Sequence, residues 1–341
     1  MTVFEFRDPN LRENFIFSDH SKRLQTETNG NKRKQMINQR LFNSICRTFV
    51  VLAAACSASA QKGDTFKVFY LGGQSNMEGF GFNKDLPADL SQPMKDVYIF
   101  DGNRGGDGEP GLGVGKWEQL RPGHGTGFAS DGKENKPSDR FGVELTFAKR
   151  MRELYPNDKI AIIKYARNGS GLDSLATGPF GCWEPEYKAK PNQYDFFLKT
   201  IEGAKGAKDV NGDGKADTLV FSGILWMQGE GDGSFTEEIA MEYYKNLNHL
   251  IEMMRSVFKE KDLPVVVGKI SDSGNSESGI VFKNGDLVRY CQEKFVRDDK
   301  RAGIVRSTSR YSYSDPYHYD SAGYIDFGKN FADEMAKLLK K

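Results

Sequence analysis

The sequence predicts an α/β protein: a three-layer α/β/α sandwich on a five- to six-stranded parallel sheet. Three observations carry that prediction. Short runs of β-branched and aromatic residues recur along the chain, segments with apolar residues at spacings of three and four lie between them, and the runs are apolar enough to be buried. Strands joined through helices run parallel with right-handed crossovers, and a parallel sheet is covered on both faces.

In chain order, the first run is 65–73 (TFKVFYLGG), closed by two glycines. Further runs follow at 96–102, 159–166, 218–228, 263–270 and 302–307. Phe141, Leu145, Ala148, Met151 and Leu154 mark one helix. Tyr243, Leu247, Leu250, Met254 and Val257 mark a second, and Phe327, Phe331, Met335 and Leu338 a third. Two stretches, 101–139 and 271–284, are long and irregular. Loops beyond the carboxyl ends of parallel strands usually shape a ligand site, although 101–139 reads equally well as solvated decoration.

Composition narrows the class. The chain has 341 residues, 38% of them apolar or aromatic and 28% charged, which excludes a disordered, collagenous or multi-span membrane protein. Lys and Arg total 48 against 47 Asp and Glu, so nothing in the charge balance marks a nucleic-acid or acidic-membrane partner. Four cysteines are too few for a disulfide framework.

Residues 36–60 (MINQRLFNSICRTFVVLAAACSASA) hold a basic start at Arg40 and Arg47, an apolar run from Phe49 to Cys56, and small residues at Ala58-Ser59-Ala60. Those are the three parts of a secretory signal peptide. The run is far shorter than the ~20 residues of a transmembrane helix. The expectation is a leader over 1–60, with 1–35 an over-extended start and 36–60 the signal, then a single domain over 61–341, secreted or periplasmic. Leu52 to Cys56 faintly resembles a lipoprotein box, the lesser reading because Ala53 stands where Leu is usual. Cys182 and Cys291 would remain after export, to pair or to persist as buried thiols.

Four elements carry chemistry. Gly73-Gln74-Ser75-Asn76-Met77 follows the first strand, where a Ser flanked by Gly is exposed as a nucleophile with its N–H free, or merely caps a helix. Asp315-Pro316-Tyr317-His318 supplies a base and, three residues before it, a carboxylate to hold its tautomer. Asp320 is a rival acid. His249 lies within a helix and reads as structural, and His124 sits in a Gly-rich loop. Trp226-Met227-Gln228-Gly229-Glu230-Gly231-Asp232 ends a strand. There Gln228 suits donation to a tetrahedral oxyanion, and Glu230 suits bracing the loop or a second acid for His318. In Asn168-Gly169-Ser170-Gly171 a flexible backbone offers a further oxyanion N–H.

The order of these blocks, with a Gly five residues after His318, resembles the SGNH hydrolase superfamily. More closely it resembles the sialate O-acetylesterase branch that includes the acetylxylan esterases of carbohydrate esterase family six. The resemblance spans nearly all of residues 65–340, with Gly231 standing where the family commonly carries Ser. It implies a flavodoxin-like α/β/α fold and hydrolysis of O-acetyl esters on sugars with no catalytic cofactor. Carried over, Ser75 is the nucleophile, His318 the base, and Asp315 or Glu230 its acid. Ser75, Gly169 and Gln228 form the oxyanion hole. Apart from the resemblance, Asn76 is a further candidate for a substrate contact.

Two motifs lie outside that set. Asp209, Asn211, Asp213 and Asp217 occupy positions 1, 3, 5 and 9 of a loop with Lys215 at 7 and Gly at 6, the front of a calcium loop without the Glu at 12. It reads as a structural calcium site or as an acidic turn. Trp117, Trp183 and Tyr187 fall in irregular segments, and Trp183 is the candidate for stacking on a sugar.

The sequence thus points to an exported serine esterase acting on an acetylated polysaccharide or oligosaccharide. An esterase of the same superfamily for lipid or small aryl esters, and a non-catalytic glycan-binding module, are the alternatives.

Overall fold

The computed structural model describes residues 62–104, 111–189 and 191–340; the expected leader lies outside the described residues. Seven strands build the main sheet: β1 (Thr65–Gly73), β2 (Val97–Asp101), β3 (Trp117–Gln119), β4 (Lys159–Ala166), β5 (Thr218–Met227), β6 (Val265–Gly268) and β7 (Ala302–Val305). Their order is β7-β6-β5-β1-β4-β2-β3. All neighbouring pairs are parallel except β2 with β3.

The sheet is therefore wider than the expected five or six strands. The additional strand, β3, lies inside the stretch read as irregular. It is three residues long, too short to show a pattern, and exists through its antiparallel pairing with Tyr98–Phe100.

The helices are α1 (Ser75–Glu78), α2 (Glu144–Leu154), α3 (Gln193–Gly206), α4 (Glu230–Gly233), α5 (Glu237–Phe258), α6 (Gly285–Asp298) and α7 (Ser321–Leu339). Successive side chains of β1 face opposite layers, as the strand repeat requires. Phe69 packs edge-on against Phe147 of α2, while Tyr70 meets Phe197 of α3 and Phe258 of α5. Both residues are fully buried, the reason β1 reads as apolar on both faces from Val68 to Leu71. Burying a side chain of this size contributes about 1.5–3 kcal/mol. No helix among the described residues is long and apolar enough to cross a membrane. Cys182 and Cys291 are free and buried.

Strand order locates the site. From β4 the chain crosses β1 and continues outward through β5, β6 and β7. The carboxyl ends of β1, β4 and β5 thus meet at a topological switch point, where open parallel sheets leave a crevice.

Candidate active site

β1 ends because its backbone meets that of β5. Gly73 has φ 140°, and a Cβ there would lie 1.9 Å from the Met227 carbonyl oxygen. Gln74 N–H then donates to Met227 O at 2.9 Å, and the chain turns at once into α1. Ser75 is the first residue of that helix, so its N–H has no partner within the helix. Only glycine allows this abrupt strand-to-helix turn, which delivers Ser75 to the crevice.

His318 comes from the segment before α7. Its Nδ1 lies 2.7 Å from Asp315 Oδ2. The other carboxylate oxygen accepts the N–H groups of Tyr317 (2.8 Å) and His318 (2.9 Å). Burial pushes the Asp315 carboxyl up, but the His318 hydrogen bond and these two N–H groups outweigh it and hold the group below its ordinary value. The Phe80 ring stacks on the imidazole, with centroids 3.6 Å apart and planes within 3°. Ser75 and His318 line one cavity of about 320 Å³, together with Gln74, Asn168, Gly169 and Glu230.

Gly169 lies at φ 71°, and a Cβ there would sit 2.2 Å from the Phe180 ring. The preceding N–H, of Asn168, donates to Glu78 Oε2 at 2.8 Å. A carboxylate on the helix that begins at Ser75 thereby fixes this loop beside it. Gln74 Oε1 accepts from Gly229 N (3.2 Å) and Gly231 N (3.1 Å), tying the β5 loop to the same turn.

Four expectations are corrected. Gln228 does not reach the cavity: its Nε2 donates to Asp232 Oδ2 (2.6 Å) and Ser170 O (3.2 Å). Both amide hydrogens are committed, because the buried Asp232 carboxylate draws a charge-assisted bond. Glu230 does not meet the imidazole. Its Oε1 accepts from Asn76 Nδ2 at 2.7 Å, and the carboxylate that meets His318 is Asp315. Asn76 faces inward, with Nδ2 also 3.1 Å from Tyr317 O and Oδ1 accepting from Tyr324 Oη at 2.8 Å. It joins the helix that begins at Ser75 to the segment bearing His318 and does not line the cavity. Trp183 is fully buried, donates to Ser170 Oγ at 2.9 Å and packs edge-on against Trp226, so it supports the 168–171 loop from within.

Burial raises Glu230 to about 7 against the lowering effect of Asn76. Burial likewise raises Asp232 to about 6, against donors from Asp173, Gln228 and Leu172. The remaining candidates are structural: Asp320 caps α7 through Gly323 N–H (2.7 Å), His124 is buried against Asp101, and His249 meets Glu186 on the surface.

Sequence reasoning missed four residues that line the cavity: Ser234, Phe235, Phe282 and Tyr317. Phe282 carried a signal in its place in the irregular 271–284 stretch, and Tyr317 in its place between Asp315 and His318.

In the 209–217 loop the carboxylates face backbone. Asp209 accepts from Gly212, Asp213 and Gly214, and Asp217 from Asp64 and Val210. Asp213 pairs with Lys215 at 3.2 Å. Among the described residues, no group of three or more His, Cys, Asp or Glu is disposed to hold a metal ion.

A family model described as carbohydrate esterase, sialic acid-specific acetylesterase (SASA) matches residues 65–337. Among solved structures, an Arabidopsis thaliana protein is similar at 18% identity and TM-score 0.55, over 80% of this chain and 98% of that one. A carbohydrate acetylesterase from Xanthomonas citri is similar at 17% and 0.54, over 80% of this chain. The match spans only 56% of the Xanthomonas protein. NanS is similar at 16% and 0.51, over 82% and 99%. These likenesses bear on the fold. Comparison with curated proteins gives no match.

Proposed function

This chain belongs to the carbohydrate esterase, sialic acid-specific acetylesterase family and is a carbohydrate O-acetylesterase, and from that premise we propose that Ser75, His318 and Asp315 carry the reaction. The observation behind the proposal is the His318–Asp315 contact of 2.7 Å at the edge of the cavity that Ser75 also lines.

Ser75 Oγ attacks the acetyl carbonyl while His318 Nε2 takes its proton. Asp315 stays ionised, holds the Nδ1–H tautomer and stabilises the imidazolium. The negative charge on the tetrahedral oxygen is met by the N–H groups of Ser75 and Gly169. His318 then protonates the departing sugar oxygen, leaving an acetyl-enzyme. A water deprotonated by His318 releases acetate and restores Ser75.

The test is acetate release by the full chain from acetylated xylooligosaccharides and from O-acetyl sialic acid, beside Ser75→Ala. Release that stops in the variant supports the proposal, and the preferred sugar identifies the substrate. Release that survives Ser75→Ala places the nucleophile elsewhere. Glycan binding with no acetate release from either sugar leaves a non-catalytic module.

Export belongs to the same proposal and rests on the three-part segment at 36–60. N-terminal sequencing of the protein from the culture medium or periplasm tests it, with Gln61 the expected first residue. Calcium on the 209–217 loop is proposed as a structural element. It is supported by the alternation of oxygen-bearing side chains and requires Asp209 and Asp213 to exchange backbone partners for the cation.

A further inference from the structure

The cavity has two kinds of lining. Gln74, Ser75 and Glu230 are buried polar side chains, whereas Phe235, Phe282 and Tyr317 add aromatic rings from three separate segments. Tyr317 is 53% exposed and Phe235 40%, while Phe282 is nearly buried at 5%. The Phe282 and Tyr317 centroids lie 6.3 Å apart with planes inclined at 47°.

The backbone beneath these rings is pinned. Asn284 Nδ2 donates to Phe235 O at 2.6 Å, Asp272 Oδ2 accepts Phe282 N–H at 2.7 Å, and Tyr317 N–H is held by Asp315 at 2.8 Å. Large aromatic surface left in water on a fixed frame, around a reactive centre, is the kind of exposed apolar patch that marks a binding site.

We propose that Tyr317 and Phe235, backed by Phe282, form a stacking subsite for the pyranose ring that carries the acetyl group. This inference rests on the carbohydrate esterase reading above. A pyranose has apolar C–H faces and polar edges, so it suits a mouth of aromatic rings with Ser234 and Asn168 beside them. A long acyl chain would require the reverse, an apolar lining around Ser75. The acetyl group lies against the polar lining next to Ser75, the ring stacks at the mouth, and Tyr317 adjoins His318 in sequence, so stacking also registers the ester against the base.

The experiment compares kcat/KM for acetylated xylooligosaccharide with that for ethyl acetate, which has no ring. Full-length wild type, Tyr317→Ala, Tyr317→Phe and Phe235→Ala are measured. The expected result is a fall of roughly five- to tenfold in the glycan-to-ethyl-acetate ratio in both alanine variants, carried mainly by KM, with Tyr317→Phe close to wild type. A ratio unchanged in both alanine variants overturns the subsite while leaving the carbohydrate reading intact. A fall in Tyr317→Phe equal to that in Tyr317→Ala also overturns it, since the hydroxyl and not the ring would be responsible. Wild type that cleaves ethyl acetate but no acetylated sugar overturns the carbohydrate reading, and the subsite with it.

Discussion

Asp315 grips His318 twice, through the imidazole Nδ1 at 2.7 Å and through the His318 backbone N–H at 2.9 Å. One short turn thus sets both the position and the tautomer of the imidazole. Asp315→Asn replaces an ionised acceptor with a neutral amide that no longer stabilises imidazolium. It is expected to lower kcat by roughly a thousandfold or more, measured as acetate release across pH. Glu230→Gln, which keeps an acceptor for Asn76, is expected to cost far less. Equal losses in the two variants would return Glu230 to the role of acid partner.

Gln228 provides the converse case. Its amide satisfies Asp232 and Ser170 O within the core, so Gln228→Leu leaves a buried carboxylate short of a donor. The expected cost is about 1–3 kcal/mol of stability, visible as a lower Tm. Loss of an oxyanion donor would instead lower kcat by about a hundredfold or more with Tm unchanged. Denaturant unfolding run beside steady-state kinetics separates the two.

Glu230 also sets a pH dependence. Its folded-state value, raised to about 7 by burial, lies above that of the unfolded chain. The folded state therefore binds the extra proton, and this group's contribution to stability falls as pH rises from its ordinary value toward about 7. Glu230→Gln removes that term. The variant's Tm is expected to gain on wild type between pH 5 and pH 7.5, roughly the window of titration. A difference independent of pH would show that Glu230 is ionised throughout.

Calcium on the 209–217 loop is checked by thermal unfolding with calcium and with EDTA. The expected outcome is a higher Tm with calcium, lost in a variant carrying Asp209→Ala and Asp213→Ala. Identical midpoints in wild type would leave the loop as an acidic turn closed by its own backbone hydrogen bonds.

Local signals made much of this readable in advance. β1 and β4 begin and end where the apolar runs do, because burial on both faces demands an uninterrupted run. The Asp315–His318 pair was legible because two residues three apart in one turn suffice to form it. β3 was not, since three residues that pair across an edge leave no periodicity. The aromatic mouth was hidden for a different reason: Phe235, Phe282 and Tyr317 are far apart in sequence, and nothing in the spacing of Tyr317 within the Asp315–His318 motif points to the other two.

The sequence by itself determined the class of fold, the Gly73–Ser75 turn and the Asp315–His318 pairing, each a matter of residue type at short spacing. Tertiary structure alone decided the partners of the buried polar groups. Gln228 turned to Asp232, Glu230 to Asn76, and Trp183 to Ser170. A buried polar group must find a partner wherever the fold brings one within reach, and that partner lies on another strand or loop, which spacing along the chain does not encode.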